Sequence, residues 1–176
     1  MDKGFFQRFS GAGPPMTMKD FYEGVLGSAS IKNMLSFDIE TFSPTGFPYN
    51  AEDPVVNYSL VAPLERGGLF AVSAIGLPEA EVNLLRLLRG LFEAFEGFYL
   101  LTYNGVKFDL EYVVKRGRLY GLDFMDALRR HEHIDVYQLL RWLGVRLPSY
   151  SQKSVEKVLG IKRAVENVSG GNYHIA

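Results

Sequence analysis

The chain has 176 residues, of which 47% are hydrophobic and 22% are charged. This balance excludes an intrinsically disordered chain and a fibrous repeat, and the length suits one compact domain. Cysteine is absent, which excludes disulfides, thiolate zinc sites and cysteine nucleophiles. No apolar stretch approaches the roughly 20 residues that a membrane-spanning helix needs, and the first residues do not form a secretory signal. We therefore predict a cytoplasmic protein that has no membrane segment.

Charge is distributed unevenly along the chain, although the net charge is only −1. Residues 1–103 hold 12 acidic and 7 basic side chains, whereas residues 104–163 hold 7 acidic and 12 basic ones. This asymmetry gives weak support for nucleic acid bound near a carboxylate site, because phosphates attract cations and metal ions attract carboxylates. A well-mixed soluble surface explains the same counts, so the motifs have to decide between the two.

The first part of the chain predicts an arm followed by an antiparallel meander. Residues 1–30 are rich in Gly, Ser, Pro and Met without periodicity, which predicts a flexible N-terminal arm, and one domain is expected over residues 31–176. Its first strand should run from residue 34 to 39. After a proline-rich loop, further strands are predicted at residues 57–62 and 69–75, joined by a Gly-containing turn.

The remainder of the chain alternates between predicted helices and strands. Pro78 begins a helix whose apolar face is predicted from Leu84, Leu88, Leu91 and Phe95. The later predicted elements are a strand at 98–103, a helix at 108–120, a strand at 133–135, a helix from 136, and a last helix that Ser149-x-x-Gln152 opens and Gly160 closes. This order predicts an α/β fold with a mixed sheet flanked by helices.

Three acidic residues stand out because each falls near the end of a predicted strand. Asp38 and Glu40 close the first strand, and Asp109 follows the strand at 98–103. Residues two apart on a strand point to the same face, so Asp38 and Glu40 should converge while Ile39 points into the core. Like charges at this spacing repel unless a cation neutralises them, and hard oxygen ligands suit Mg²⁺ or Mn²⁺. For an isolated Asp-x-Glu, a turn acid beside a solvated glutamate is the plainer interpretation.

The order and setting of these residues resemble a known family. Phe37-Asp38-Ile39-Glu40-Thr41 closes a hydrophobic strand, and Asn104-Gly105-Val106-Lys107-Phe108-Asp109 follows a later one. They resemble the first two motifs of the DnaQ-like 3′–5′ exonucleases of the ribonuclease H-like superfamily. The proofreading domains of family B DNA polymerases and the YprB-type domains are the most similar members. The similarity covers roughly residues 33–170, and the two motifs together are fairly specific because sequence, order and setting agree.

The resemblance implies a ribonuclease H-like fold that hydrolyses phosphodiester bonds of DNA or RNA from a 3′ end. Asp38, Glu40 and Asp109 would be the catalytic residues and the ligands of two Mg²⁺ or Mn²⁺ ions. One ion would activate a water and the other would stabilise the departing 3′ oxygen. The implied substrate-binding residues are Asn104, Thr41 and Lys107. The implied partner is a single-stranded end of DNA or RNA.

The family's third motif, a late helix with Tyr-x3-Asp or His-x4-Asp, has no match in this sequence. His131-x3-Asp135 has a different spacing, and Asp135 is expected to cap the helix that follows it. We therefore expect a domain that is shortened at its C-terminal end relative to the family. A protein partner that supplied the missing Asp would complete its carboxylate site. The alternative is a non-catalytic nucleic-acid-binding or partner-binding remnant of the same fold.

Two further features have open interpretations. The basic segments Lys115-Arg116-Gly117-Arg118 and Arg129-Arg130 either contact phosphates or are ordinary charged helix ends. Phe108, next to Asp109, is expected to pack in the core rather than to stack on a base.

Overall fold

The computed structural model describes residues 31–64 and 66–163. The predicted arm at residues 1–30 and the last 13 residues, 164–176, lie outside the described residues. The strands are β1 (Met34–Thr41), β2 (Val55–Pro63), β3 (Leu69–Ile75), β4 (Tyr99–Thr102) and β5 (Glu132–Asp135). The α-helices are α1 (Glu81–Ala94), α2 (Asp109–Leu119), α3 (Phe124–Leu128), α4 (Val136–Trp142) and α5 (Gln152–Val158). In this described part of the chain, no helix has the length and apolar character needed to cross a membrane.

The five strands form one mixed sheet in the order β3-β2-β1-β4-β5. β1 pairs with β2 and β2 with β3 in antiparallel fashion, whereas β1 with β4 and β4 with β5 are parallel. The predicted α/β class is confirmed, since a three-strand antiparallel meander continues into parallel strands flanked by helices. β1 lies in the middle of the sheet, so its backbone is bonded on both sides.

The core lies between one face of the sheet and helix α1. On β1, Leu35, Phe37 and Ile39 are buried in alternation with more exposed polar residues. The ring of Phe37 meets that of Phe92 on α1 edge to face, with centroids 5.1 Å apart. Phe92 in turn meets Phe124 on α3 at 6.3 Å. These contacts fix the helical layer over the strand that carries the first motif.

The buried face of α1 is centred differently from the prediction. Leu84 and Leu88 are buried as expected, and Leu85 and Phe92 join them with no exposed surface. Leu91 is only half-buried, and Phe95 follows the end of the helix. The buried face of α1 also contains an acid, since Glu81 in its first turn is fully buried.

Two helix starts also differ from the sequence prediction. The helix α3 was not predicted, because five residues give too short a window for a helical period. Its N-cap is Asp123, whose carboxylate accepts a hydrogen bond from the Asp126 amide at 3.2 Å. The predicted cap of the last helix, Ser149, is wrong by two residues, because Ser151 is the N-cap and accepts from the Ser154 amide at 3.3 Å.

Candidate functional site

The candidate site lies at the edge of the sheet where the three parallel strands end. β1, β4 and β5 run in the same direction, so their C-terminal ends meet at this edge. All three predicted carboxylates belong to segments that reach it. Asp38 and Glu40 lie in the last half of β1, and Asp109 begins the helix α2 that follows β4.

Asp38 and Glu40 leave the same face of β1, as the alternation predicts. Ile39 between them is 4% exposed and points into the core, whereas Asp38 is exposed and Glu40 is half-buried. The register with β2 shifts between Glu40 and Thr41, where a bulge interrupts the antiparallel ladder. Glu40 pairs with Asn57 and Thr41 with Val55, so Val56 is the extra residue and the change of direction falls on β2, opposite the end of the first motif.

Asp109 connects the second motif to the first through a buried hydrogen bond. Its carboxylate oxygen Oδ1 accepts from the backbone amide of Ile39 at 3.2 Å. That amide lies between the two acids of the first motif, so Asp109 is held against β1 across 70 residues of sequence. The Asp109 side chain is 3% exposed, and its position in the first turn of α2 is favourable for a negative charge.

The charge of Asp38 affects both of the other carboxyl groups. Burial and the nearby Asp38 charge raise the pKa of Asp109 to about 7. Loss of hydration and then the charge of Asp38 raise the pKa of Glu40. The pKa of Asp38 is also raised by loss of hydration, while the Arg163 guanidinium opposes the rise. Asp38 keeps an exposed surface, so water screens part of this effect. The site therefore concentrates negative charge around Asp38.

The donor chemistry of these residues suits a hard divalent cation, since carboxylate oxygens are the ligands that Mg²⁺ and Mn²⁺ prefer. Mutual repulsion between Asp38 and each of the other two acids would be relieved by such an ion. Across residues 31–64 and 66–163, however, no three His, Asp or Glu side chains converge closely enough to form a metal-binding group. The assignment of Asp38, Glu40 and Asp109 as metal ligands remains a prediction.

The loop of the second motif is held by Asp135 at the end of β5. Asp135 accepts hydrogen bonds from the backbone amides of Asn104 at 2.9 Å and Val106 at 3.2 Å. It also accepts from the Gln138 amide at 3.3 Å as the N-cap of α4, which confirms the predicted capping role. With 1% of its surface exposed, Asp135 fixes the turn that leads to Asp109.

The predicted substrate-binding residues have different environments. Lys107 is exposed in the turn before α2. Asn104 is half-buried with a left-handed φ of 63°, and its backbone amide is already bonded to Asp135. Thr41 is 6% exposed, and its hydroxyl lies 2.7 Å from that of Ser43. A role in substrate binding stays a prediction for all three residues.

An aromatic strip beside Asp109 was not predicted from the sequence. Phe47 and Tyr49 lie in the loop after β1 and are 64% and 71% exposed. Their ring centroids are 5.1 Å apart, and Phe47 also contacts Phe108 at 5.6 Å. Phe108 is half-buried and packs on Tyr112, so it joins the surface strip to the core. The sequence signal that could have predicted this strip is the pair of aromatic residues in the proline-rich loop after β1.

A buried ion pair holds the loop after β1 in place. Arg116 on α2 pairs with the fully buried Glu81 and donates to the carbonyls of Ala51 at 3.3 Å and Glu52 at 2.9 Å. Tyr112 adds a hydrogen bond to the Asp53 carbonyl at 2.7 Å. Arg116 is 8% exposed, so phosphate binding by this residue is ruled out and its role is to position the loop.

Comparison with known sequences agrees with this architecture. The sequence profile of the RNase H superfamily matches residues 35–174. The chain belongs to the RNase H superfamily. This RNase H-like chain is also 27% identical over 165 residues to a DNA polymerase of Methanocaldococcus jannaschii. The match covers 80% of the chain but only 10% of that polymerase.

Solved structures of the same fold include polymerases and exonucleases. The family B DNA polymerase from the archaeon Pyrobaculum calidifontis has a TM-score of 0.61 at 19% identity, over 81% of this chain and 20% of the polymerase. Escherichia coli exonuclease I in complex with a dT13 oligonucleotide has a TM-score of 0.56 at 16% identity, over 73% of this chain and 36% of the exonuclease. The predicted resemblance to the DnaQ-like exonuclease domains is confirmed at the level of fold and superfamily.

Proposed function

We propose that the RNase H-like chain is a metal-dependent 3′–5′ exonuclease domain that hydrolyses phosphodiester bonds of single-stranded DNA or RNA. The observation that supports this most is the hydrogen bond from the Ile39 amide to Asp109. It brings the acid of the second motif to the two acids of the first. The fold and the similarity to polymerases and exonucleases are consistent with the same activity.

In this proposal, Asp38, Glu40 and Asp109 hold Mg²⁺ or Mn²⁺. The bound ions would supply a nucleophilic water at neutral pH and neutralise charge on the departing oxygen. Asp38 and Glu40 leave the same face of β1, so both would face an ion bound at this edge. Asp109 is oriented by the Ile39 amide, and Asp135 keeps the preceding turn in place. The exposed Lys107 would contact a phosphate of the strand.

The aromatic strip supplies the sequence-independent part of strand binding. Bases of a single strand expose their faces, and stacking on an aromatic side chain contributes about 1–3 kcal/mol per base. Phe47 and Tyr49 are largely exposed, and Phe47 contacts Phe108, the neighbour of Asp109. A base stacked on Phe47 would thus lie near Asp109, because Phe47 contacts the residue that precedes it. A paired duplex offers no free base face, which favours a single-stranded end.

The test is digestion of a 5′-labelled single-stranded oligonucleotide, as DNA and as RNA, with Mg²⁺, Mn²⁺ or EDTA. A ladder of shortened labelled products that requires the divalent ion is expected. Asp38→Asn and Asp109→Asn should lower the rate by at least about 100-fold, because each removes one charged ligand. Glu132→Gln is the matched control. Glu132 is an exposed acid at the start of β5, at the end of the parallel strands opposite the carboxylates.

A second candidate is a non-catalytic nucleic-acid-binding domain. It is favoured by one observation, the lack of a convergent three-residue metal group among the described residues. This candidate predicts binding of the oligonucleotide that EDTA does not change and no shortening of the strand with either metal. Equal activity of Asp38→Asn and the unmodified protein would reject the exonuclease proposal.

A further inference from the structure

A basic cleft lies beside the carboxylate edge, on the C-terminal side of α5. It has a volume of about 320 Å³ and is open to solvent. Its lining includes four basic side chains, Lys153, Lys157, Lys162 and Arg163, and one acid, Glu156. All four basic residues are exposed. None of the predicted site residues lines this cleft, so its charge has no assigned role.

Arg163 is held in a defined orientation within the cleft. Its Nε and one terminal nitrogen donate to the two carboxylate oxygens of Glu156 at 2.6 and 2.8 Å. This paired geometry restrains an otherwise flexible side chain. Arg163 also interacts electrostatically with Asp38 of the first motif. The cleft and the carboxylate site are therefore neighbours.

The helix α5 is fixed next to the site by a cluster of tyrosines. The Tyr103 hydroxyl, at the end of β4, donates to the Tyr150 carbonyl at 2.6 Å, just before α5 begins. The ring of Tyr150 contacts that of Tyr137 on α4 at 6.1 Å. Arg141 lies over the Tyr150 ring, 5.0 Å from its centroid. The basic side chains of α5 are thus carried by a segment that is bound to the strand preceding the second motif.

We propose that Lys153, Lys157, Lys162 and Arg163 bind the phosphodiester backbone of a single strand and guide it toward the Asp38 edge. Three exposed ammonium groups around an open cleft would attract phosphates, and Arg163 has N–H donors beyond the two that bind Glu156. Glu156 offsets the charge of Arg163 through their ion pair, and the three lysines keep the cleft positively charged. This inference rests on the proposed function and adds to it a second binding surface, separate from the aromatic strip.

The experiment compares the double variant Lys153→Gln/Lys157→Gln with the unmodified protein. Fluorescence anisotropy of a short labelled oligothymidylate is measured in EDTA, so that binding is separated from hydrolysis, over a series of salt concentrations. Single strands release about 0.7 counterion per neutralised phosphate, so the log–log salt slope should fall by about 1.4 for two lost contacts. Affinity at low salt should fall about five- to tenfold.

The control variant Arg66→Gln/Arg86→Gln removes the same charge elsewhere. Both residues are exposed, and Arg66 lies in the β2–β3 turn, at the end of the sheet away from Asp38. An equal loss in this control, or an unchanged slope in the Lys153/Lys157 variant, would overturn the inference and leave the exonuclease proposal intact. If the unmodified protein itself binds no oligonucleotide, the proposed function and this inference both fail.

Discussion

The buried pair of Glu81 and Arg116 leads to a sharp prediction about stability. Glu81 accepts hydrogen bonds from the Val55 amide at 2.7 Å, from Tyr120 at 2.6 Å, and from two nitrogens of Arg116. Arg116→Met would leave the carboxylate fully buried without its cation. Removing one partner of a buried pair costs about 3–5 kcal/mol, which is a large share of the roughly 5–15 kcal/mol that a domain of this size has.

The assay is urea-induced unfolding of the full chain followed by circular dichroism. Glu81→Gln/Arg116→Met should be more stable than Arg116→Met alone, because the glutamine carries no charge and still accepts from the Val55 amide. Lys115→Met is the control, since its pair with Glu111 is exposed and is worth at most about 1 kcal/mol. A cost below about 1 kcal/mol for Arg116→Met, or a double variant no better than the single one, would refute the reasoning.

Three further predictions concern packing, capping and pH. Gly117→Ala should destabilise by about 1–3 kcal/mol, because a Cβ would lie 2.4 Å from the Phe124 ring. Gly90→Ala in α1 meets no atom within 4 Å and should stabilise by about 0.5–1 kcal/mol; urea midpoints in the reverse order would contradict this. Asp135→Ala should lower stability by about 1–3 kcal/mol and slow strand cleavage without changing oligonucleotide binding in EDTA, which excludes a substrate contact. Burial lowers the pKa of His133 to about 4, so the unfolded chain binds a proton first as pH falls from 6.5 to 4. This His133 contribution lowers stability as pH falls, whereas Asp109, whose pKa is raised to about 7, acts in the opposite direction. The unfolding free energy of His133→Gln should therefore rise relative to that of the unmodified chain as pH falls across that window.

Much of the fold could be predicted because the strand signals are local. The alternation of β1, the Gly-rich turn between β2 and β3, and the short strands β4 and β5 all depend on neighbouring residues. The two acids of the first motif were predicted correctly to share a face, since this follows from the two-residue period of a strand. The capping role of Asp135 likewise follows from its position before a helix.

The unpredicted features are long-range. Glu81 lies at a helix start, and its burial is accompanied by Arg116, which lies 35 residues away and reaches it from another helix. The bond between Ile39 and Asp109 joins residues 70 positions apart, and no periodicity encodes such a partner. The aromatic strip arises because the loop after β1 folds back onto Phe108. Pairing between distant segments depends on the assembled sheet and helices.

The three bonds that Asp135 accepts have a consequence for mutational screens of this chain. A screen scored only by strand cleavage would rank Asp135 with Asp38 and Asp109, because the turn carrying Asn104 and Val106 depends on it. Its carboxylate accepts hydrogen bonds from three backbone amides and has almost no exposed surface with which to bind a ligand. Thermal melting would separate Asp135 from Asp38: an Asp135 substitution should lower the melting temperature, whereas replacement of the exposed Asp38 carboxylate should leave it nearly unchanged.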